Sequence, residues 1–301
     1  METSLIDKKV LIIGELLADV ISETDITSLG SPSTFRISQG GSSANLCANL
    51  KWLGANTELV ATVGSDNLGE FLLKELRNVG LSDANIGRSA CRQTSIILVG
   101  KNAETPDFIP YRSADMAIKR IDDTLIASCE VIHTTAFALS KEPARSNILN
   151  ALVTAHQMGK TVSVDWNFAP SIWQEDDGKD IFRKLCRLNP LLKISVDDVE
   201  RFAEDTVNIE QAIEWLDRLN IRRICLTCGK EGVWFKAQNG AWKHKPALEV
   251  ETVAGVTGAG DAFWSGFLFH FINNYTLEAC VDKALGVAKL KIEKPYPLYK
   301  S

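Results

Sequence analysis

The sequence predicts an α/β fold, a mostly parallel central sheet flanked by helices, with a small separate β-sheet. Three observations lead there. From residue 114 onward, apolar runs of strand length alternate with segments of helical period. Two glycine-rich turns, at 39–45 and 255–261, each feed an apolar helix. Residues 16–38 and 87–113 interrupt the alternation with short β-like stretches. The expected division is therefore a core of 1–15, 39–86 and 114–301, and a small sheet from 16–38 and 87–113, a sheet suited to covering a binding site.

Val10–Gly14 reads as a buried strand ending in a turn, with Glu15 and Asp19 just past its exit. A carboxylate there lies where open α/β sheets bind ligands; the plain alternative is a solvated loop acid. Residues 20–38 alternate weakly, as in Thr34-Phe35-Arg36-Ile37, and read as short antiparallel strands. Gln39-Gly40-Gly41-Ser42-Ser43-Ala44-Asn45 then enters a helix with Leu46, Leu50 and Leu53 on one stripe and Gly54 as its stop. The paired glycines allow close backbone approach, and the Asn45 amide can both donate to and accept from a polyol. A tight turn followed by a solvated asparagine is the simpler reading. Leu59–Gly64 is the next strand, and Asp66 or Asn67 caps a helix bearing Leu68, Leu72, Leu76 and Val79, closed by Gly80.

Residues 94–99 and 108–112 flank a polar turn and read as a hairpin. Strands follow at Val131–Thr135, Thr161–Asp165, Lys193–Val196 and Arg223–Thr227. Helices are expected over 144–158, 178–187, 197–203 and 208–219, with a last amphipathic helix at 276–292. Glu249–Val253 reads as a strand running into the second glycine-rich turn.

That turn, Gly255-Val256-Thr257-Gly258-Ala259-Gly260-Asp261, leads into Ala262-Phe263-Trp264-Ser265-Gly266-Phe267-Leu268. Small residues at a helix start leave backbone N–H groups pointing outward, and the helix dipole adds partial positive charge. Such a place suits a phosphate, or the charge that develops during phosphoryl transfer. Asp261 is either an ordinary helix-start carboxylate or a general base held beside that anion. No Gly-Lys-Ser/Thr follows the glycines, so the turn is not a Walker A loop. Nor does a Gly-x-Gly-x-x-Gly follow the first strand, which weakens a dinucleotide-dependent oxidoreductase.

With 301 residues the chain can bury a large core, and 45% hydrophobic with 24% charged residues is ordinary for a globular protein. A net charge of −5 argues against nucleic acid or an anionic membrane as the main partner. No apolar run reaches membrane length, and a strand follows the N-terminus too soon for a signal peptide, so a cytoplasmic location is expected. The seven cysteines sit mostly in apolar surroundings, as reduced thiols do. Cys225-x-x-Cys228 has no second pair nearby, and the four histidines show no ligand spacing, so packing explains both.

Gly40–Asn45, Leu53-Gly54, Val63-Gly64-x-Asp66-x-x-Gly69 and Leu76-x-x-x-Gly80 form one signature, and Thr257–Phe263 with Gly266 a second. In this order and separation they resemble the ribokinase-like (PfkB) carbohydrate kinase family over nearly the whole chain. Thr227-Cys228-Gly229-Lys230-Glu231-Gly232 and Asp165-x-Asn167 are weaker matches. Gly14-Glu15-Leu16-Leu17-x-Asp19 with Phe108-x-x-Tyr111-Arg112-Ser113-Ala114-Asp115 looks most like the fructokinase and 2-keto-3-deoxygluconate kinase branch.

The resemblance implies a ribokinase-like three-layer fold with a β-sheet lid, and ATP-dependent phosphorylation of a sugar hydroxyl. It implies Asp261 as base and the N–H groups of Gly258, Ala259 and Gly260 as anion hole. Asp19, Gly40, Gly41 and Asn45 would bind the sugar, with Arg112 reaching in from the lid. Thr227, Gly229, Gly232 and Asn167 would serve ATP, and Mg²⁺ would accompany its phosphates. Asp198, matched by spacing alone, would hold the metal's water shell. Gly255-Val256 stands where the family usually has Asp-Thr, so the loop lacks a carboxylate often linked to bound K⁺. Ala169 replaces a common arginine, leaving Arg112 as the clear cation for a substrate carboxylate and favouring a neutral ketohexose, fructose, over a sugar acid. The alternatives are a kinase of 2-keto-3-deoxygluconate or another sugar, or a sugar-binding regulator without catalysis. Family members often pair through lid sheets, and the apolar stretch Ile96–Val99 offers an edge for a homodimer.

Overall fold

Runs of apolar residues too short for helices set the frame of the protein, and the helices between them cover both faces. The computed structural model describes residues 8–31, 34–101, 107–173, 177–203, 207–237, 240–294 and 297–300. The first part holds β1 (Lys9–Ile13), β2 (Leu17–Ser22), β3 (Phe35–Gly40), α1 (Ser42–Trp52), β4 (Asn56–Gly64) and α2 (Asn67–Asn78). Then come β5 (Ile86–Ser89), β6 (Ile96–Gly100), β7 (Asp107–Tyr111), α3 (Asp123–Ala127), β8 (Val131–Thr135), α4 (Ala136–Leu139) and α5 (Ala144–Gln157). The next units are β9 (Thr161–Asp165), α6 (Asp177–Cys186), β10 (Leu191–Ser195), α7 (Val196–Ala203), α8 (Ile209–Asp217) and β11 (Arg223–Thr227). The chain closes with β12 (Val233–Ala237), β13 (Lys243–Lys245), α9 (Ala259–Ile272) and α10 (Leu277–Ile292).

Nine strands form the large sheet in the order β13-β12-β11-β10-β9-β8-β1-β4-β5. From β11 to β5 all neighbours run parallel, and β12 and β13 are antiparallel additions at one edge. The inner strands are buried along their length, as expected where helices cover both faces. The pleat divides β1 between two cores. Leu11 and Ile13 join the side with α5, α6 and the Trp166 aromatic cluster, while Val10 and Ile12 face α1, α2, α9 and α10. The result is a three-layer α/β protein.

A second sheet has the order β3-β2-β6-β7, with β2 and β6 parallel and the outer pairs antiparallel. The expected hairpin is β6–β7. Ile96–Val99 does not form an edge, because β6 lies between β2 and β7. The exposed apolar side chains of this sheet are instead Ile37 on β3 and Phe108, Ile109 and Tyr111 on β7. Residues 87–89, grouped with the small sheet by sequence, pair with β4 in the large one. Residues 249–253 form no strand; the chain reaches the glycine-rich turn as irregular backbone. The edge strands β12 and β13 carry too few alternating residues to stand out in sequence.

Helix α9 is apolar on nearly all sides because it is enclosed. Phe263, Trp264, Phe267 and Leu268 are buried, and Trp264 Nε1 donates to Ser163 Oγ at 3.1 Å. It lies close against α10 at Gly266, where a Cβ would come 2.8 Å from Val287 Cγ2 and 3.1 Å from the Ala284 Cα. Backbone cannot yield as a side-chain tip can. Gly266→Ala is expected to lower unfolding free energy by about 1–3 kcal/mol, as overpacking does, read as a lower midpoint in urea unfolding.

Candidate active site

The parallel strands deliver their C-terminal ends to one edge of the large sheet, where open α/β folds bind ligands. Thr135 ending β8 is in register with Asp165 ending β9, Asp165 with Lys193 on β10, and Ser195 with Thr227 on β11. The starts of α1 and α9 converge on this edge.

α1 begins at Gly41, whose φ of 97° suits glycine and whose Cβ would lie 2.6 Å from the Glu15 carbonyl. Ser42 Oγ donates to Asp261 Oδ1 at 2.6 Å, and Asn45 Nδ2 donates to Asp261 Oδ2 at 3.3 Å. Asp19 lies directly on Gly40, where a Cβ would come within 2.2 Å of its carboxyl carbon. Beneath them Glu15 is buried and accepts from Ser43 N, Ser43 Oγ and Thr135 Oγ1. Tyr299, from the C-terminal turn Leu298–Lys300, donates its hydroxyl to Asn45 Oδ1 at 3.1 Å.

These acids are crowded, and their protons report it. Burial, then the charges of Asp261 and Glu15, pushes Asp19 up to about 7. Burial pushes Asp261 up to about 6; the Asp165 charge adds to this, and the Ser42 hydrogen bond and the Lys193 charge oppose it. Burial also raises Glu15 and Tyr299. Asp261 is thus ionised at neutral pH yet basic enough to accept a proton from an alcohol bound beside it.

Gly258 takes the left-handed conformation (φ 80°, ψ 4°) as the N-cap of α9, putting Asp261 at the third helical position. The Ala259 N–H donates to Val256 O at 3.0 Å, so it is engaged within the turn. The N–H groups of Gly258, Gly260 and Asp261 have no hydrogen-bond partner among the described residues. Lys193 lies below: its Nζ is 3.4 Å from where a Gly260 Cβ would be and donates to both Asp165 oxygens at 2.8 and 2.9 Å. Burial works against the Lys193 charge, but Asp165, Asp198 and Asp261 outweigh it and hold the ammonium above its ordinary value. Free N–H groups, a dipole and a buried cation give this turn the chemistry that suits an anion.

The other expected residues stand apart from this cluster. Arg112 gives Nε and Nη2 to Asp115 Oδ2 at 2.8 and 2.6 Å, bonds Ser140 Oγ, and stacks 4.1 Å above the Phe137 ring. Asn167 Oδ1 accepts from the Phe137 N–H at 3.3 Å. Thr227 ends β11, and Gly229 (φ 55°) meets nothing within 4 Å of a built Cβ, leaving open space at the expected nucleotide side. Gly232 serves packing: a Cβ there would lie 2.1 Å from the Lys245 carbonyl. Asp198 and Ser195 cap α7 reciprocally, each N–H bonded to the other's side chain at 3.0 Å, and burial pushes Asp198 up to about 6. No group of three His, Cys, Asp or Glu among the described residues could hold a metal by protein ligands alone. All seven cysteines are free.

Sequence reasoning missed Ser42, Tyr299 and Lys193 as site residues. Ser42 was visible as a motif position, and Lys193 as a lysine inside an apolar strand, a costly place for an unpaired charge. Nothing local in sequence ties Tyr299 to Asn45.

Comparison with known proteins agrees with this architecture. Residues 7–300 match the pfkB family carbohydrate kinase profile. An ATP-dependent 6-phosphofructokinase of Thermoanaerobacterium thermosaccharolyticum is 35% identical over 292 residues, covering 95% of this chain and 89% of that protein. A fructokinase of Klebsiella pneumoniae is 28% identical, covering 86% and 83%. The structure of Halothermothrix orenii fructokinase superposes with a TM-score of 0.83 at 30% identity, covering 93% of this chain and 98% of that one. The chain belongs to the pfkB family of carbohydrate kinases.

Proposed function

We propose that this kinase transfers the γ-phosphoryl group of ATP to a hydroxyl of fructose, with Asp261 as general base. The observation that carries the reading is the Asp261 carboxylate, held by Ser42 and Asn45 at the mouth of an anion site and beside Asp19. Asp19 and Asn45 orient the sugar through its hydroxyls. Asp261 takes the proton of the attacking hydroxyl, and the free N–H groups of Gly258 and Gly260 receive the charge on the transferred group. Mg²⁺, arriving with ATP, would neutralise phosphate charge. Asp198 is the residue to hold its water shell, since among the described residues its Oδ1 meets only Arg201, at 3.3 Å. Thr227 and Gly229 border the nucleotide. The small sheet acts as a lid that excludes water, and its exposed Ile37, Phe108, Ile109 and Tyr111 suit pairing with a second copy.

A neutral acceptor suits the charges present. The sugar side carries Asp19, Asp261 and Glu15, while the Arg112 charge is matched by Asp115. A second reading, fructose 6-phosphate as acceptor, is favoured by the 35% identical phosphofructokinase. Turnover with the two acceptors side by side separates them: a higher kcat/KM for the phosphorylated sugar would displace fructose.

Asp261→Asn is expected to cut kcat by about a hundredfold or more while ATP affinity stays within a few-fold, because only the base is removed. In the parent enzyme, kcat/KM should be flat above about pH 8 and fall in two steps as pH drops, through about 7 where Asp19 takes up a proton and about 6 where Asp261 does. A step near 6 that persists unchanged in the asparagine variant's residual activity would sink this assignment.

Asp19→Asn separates binding from stability. Its folded pKa of about 7 exceeds that of an unfolded carboxyl, so ionising Asp19 costs stability increasingly as pH rises towards 7 and fully above it. The variant should raise the sugar KM about tenfold or more yet melt higher than the parent at pH 8 and nearly equally at pH 4.

Sugar binding should slow amide hydrogen exchange in β2, β3, β6 and β7 if that sheet closes. Exchange there that ignores fructose would exclude closure.

A further inference from the structure

Asn45 meets two groups, and only one face of its amide suits the base. An ionised carboxylate accepts hydrogen bonds and gives none, so Asp261 needs the amide nitrogen and is repelled by the amide oxygen. The structure meets this need. Asn45 Nδ2 donates to Asp261 Oδ2 at 3.3 Å, and Asn45 Oδ1 accepts from the Tyr299 hydroxyl at 3.1 Å. A side-chain amide turned over about its last bond keeps nearly the same shape, so packing alone does not choose between the two orientations.

The choice falls to Tyr299, which comes from the C-terminal turn Leu298–Lys300 and belongs to neither glycine-rich segment. Burial, then the charges of Asp261, Asp19 and Glu75, raises the phenol, so it keeps its proton. Gln39 Nε2 approaches the same hydroxyl oxygen as a donor at 3.5 Å, which leaves the phenolic hydrogen for Asn45 Oδ1. The plain account is that Tyr299 fastens the C-terminal turn. That turn is fastened without the hydroxyl: Leu298 is buried with Ala262 and Val287, Lys300 pairs with Glu75 of α2, and the Tyr299 ring packs on the apolar core that α1 and α9 share. The hydroxyl is the part of the residue that this anchoring does not use.

We propose that Tyr299 is a positioning residue for the base: its hydroxyl fixes the Asn45 amide so that the nitrogen, and not the oxygen, faces Asp261. The inference rests on the reading of Asp261 as the base, and its test includes a readout that needs no substrate. The charged groups bearing on Asp261 are Asp165 on β9, Lys193 on β10 and Asp19 on β2, and Tyr299→Phe leaves all three in place. Carbon-13 NMR of labelled aspartate carboxyls follows Asp261 through pH in the parent protein, Tyr299→Phe, Asn45→Ala and the double variant, with Asp261→Asn identifying the signal. In the parent Asp261 should titrate at about 6. Tyr299→Phe should raise that midpoint by about half a pH unit or more, because the freed amide can turn its oxygen to the carboxylate. Adding Tyr299→Phe to Asn45→Ala should move it no further, since the hydroxyl acts only through the amide. Turnover should follow the same pattern. Tyr299→Phe should lower kcat about tenfold, with the KM for ATP and thermal melting near those of the parent, and in the Asn45→Ala background it should cost nothing more. An Asp261 midpoint unmoved by Tyr299→Phe, or a loss of the same size in the Asn45→Ala background, would overturn the proposal. A parent protein that phosphorylates no sugar would remove the kinase reading, and the carboxyl titration would still decide the role of Tyr299.

Discussion

The structure turns on the joint between α1 and α9, where Ser42 and Asn45 hold the Asp261 carboxylate. Each helix begins with a glycine in a conformation that side chains disfavour, at φ 97° and 80°. Those two bends bring the helix starts to the same sheet edge. The close contacts around them admit little change: a Cβ at Gly14 would meet Ser43 Oγ, and one at Gly40 would meet the Asp19 carboxyl. Backbone without side chains is what lets the carboxylates of β2, α1's neighbourhood and α9 approach each other.

Charge is sorted across this joint. Glu15, Asp19 and Asp261 gather on the α1 side, and each has its proton affinity raised by burial. Lys193 lies under the turn on the other side. The α1 side thus offers acceptors, and the turn offers N–H groups beside the Lys193 ammonium. The same arrangement keeps Asp261 ionised at neutral pH, because the Ser42 hydroxyl and Lys193 offset part of what burial imposes.

Much of this was legible in the chain. Strands β1, β8, β9 and β11 are short apolar runs bounded by turn residues, and burial on both faces makes such runs hard to mistake. The two glycine-rich turns and Asp261 were readable because local backbone geometry restricts which residues fit. What sequence could not show depends on distant pairing. The place of β6 between β2 and β7 follows from a parallel partner far away in the chain, so Ile96–Val99 looked like an edge. Arg112 looked available because its pairing with Asp115 depends on how the chain bends after β7. The packing of residues 245–247 against Gly232 leaves no local trace in the sequence.

The bond between Ser42 and Asp261 spans 219 positions of sequence. Closing a loop of that length costs chain entropy that only tertiary packing offsets, so the site exists only where α9 is docked against α1. Loosening that one contact would take the carboxylate from its place opposite Asp19 while leaving each strand intact. The completeness of the site is a property of the tertiary fold and not of its secondary structure.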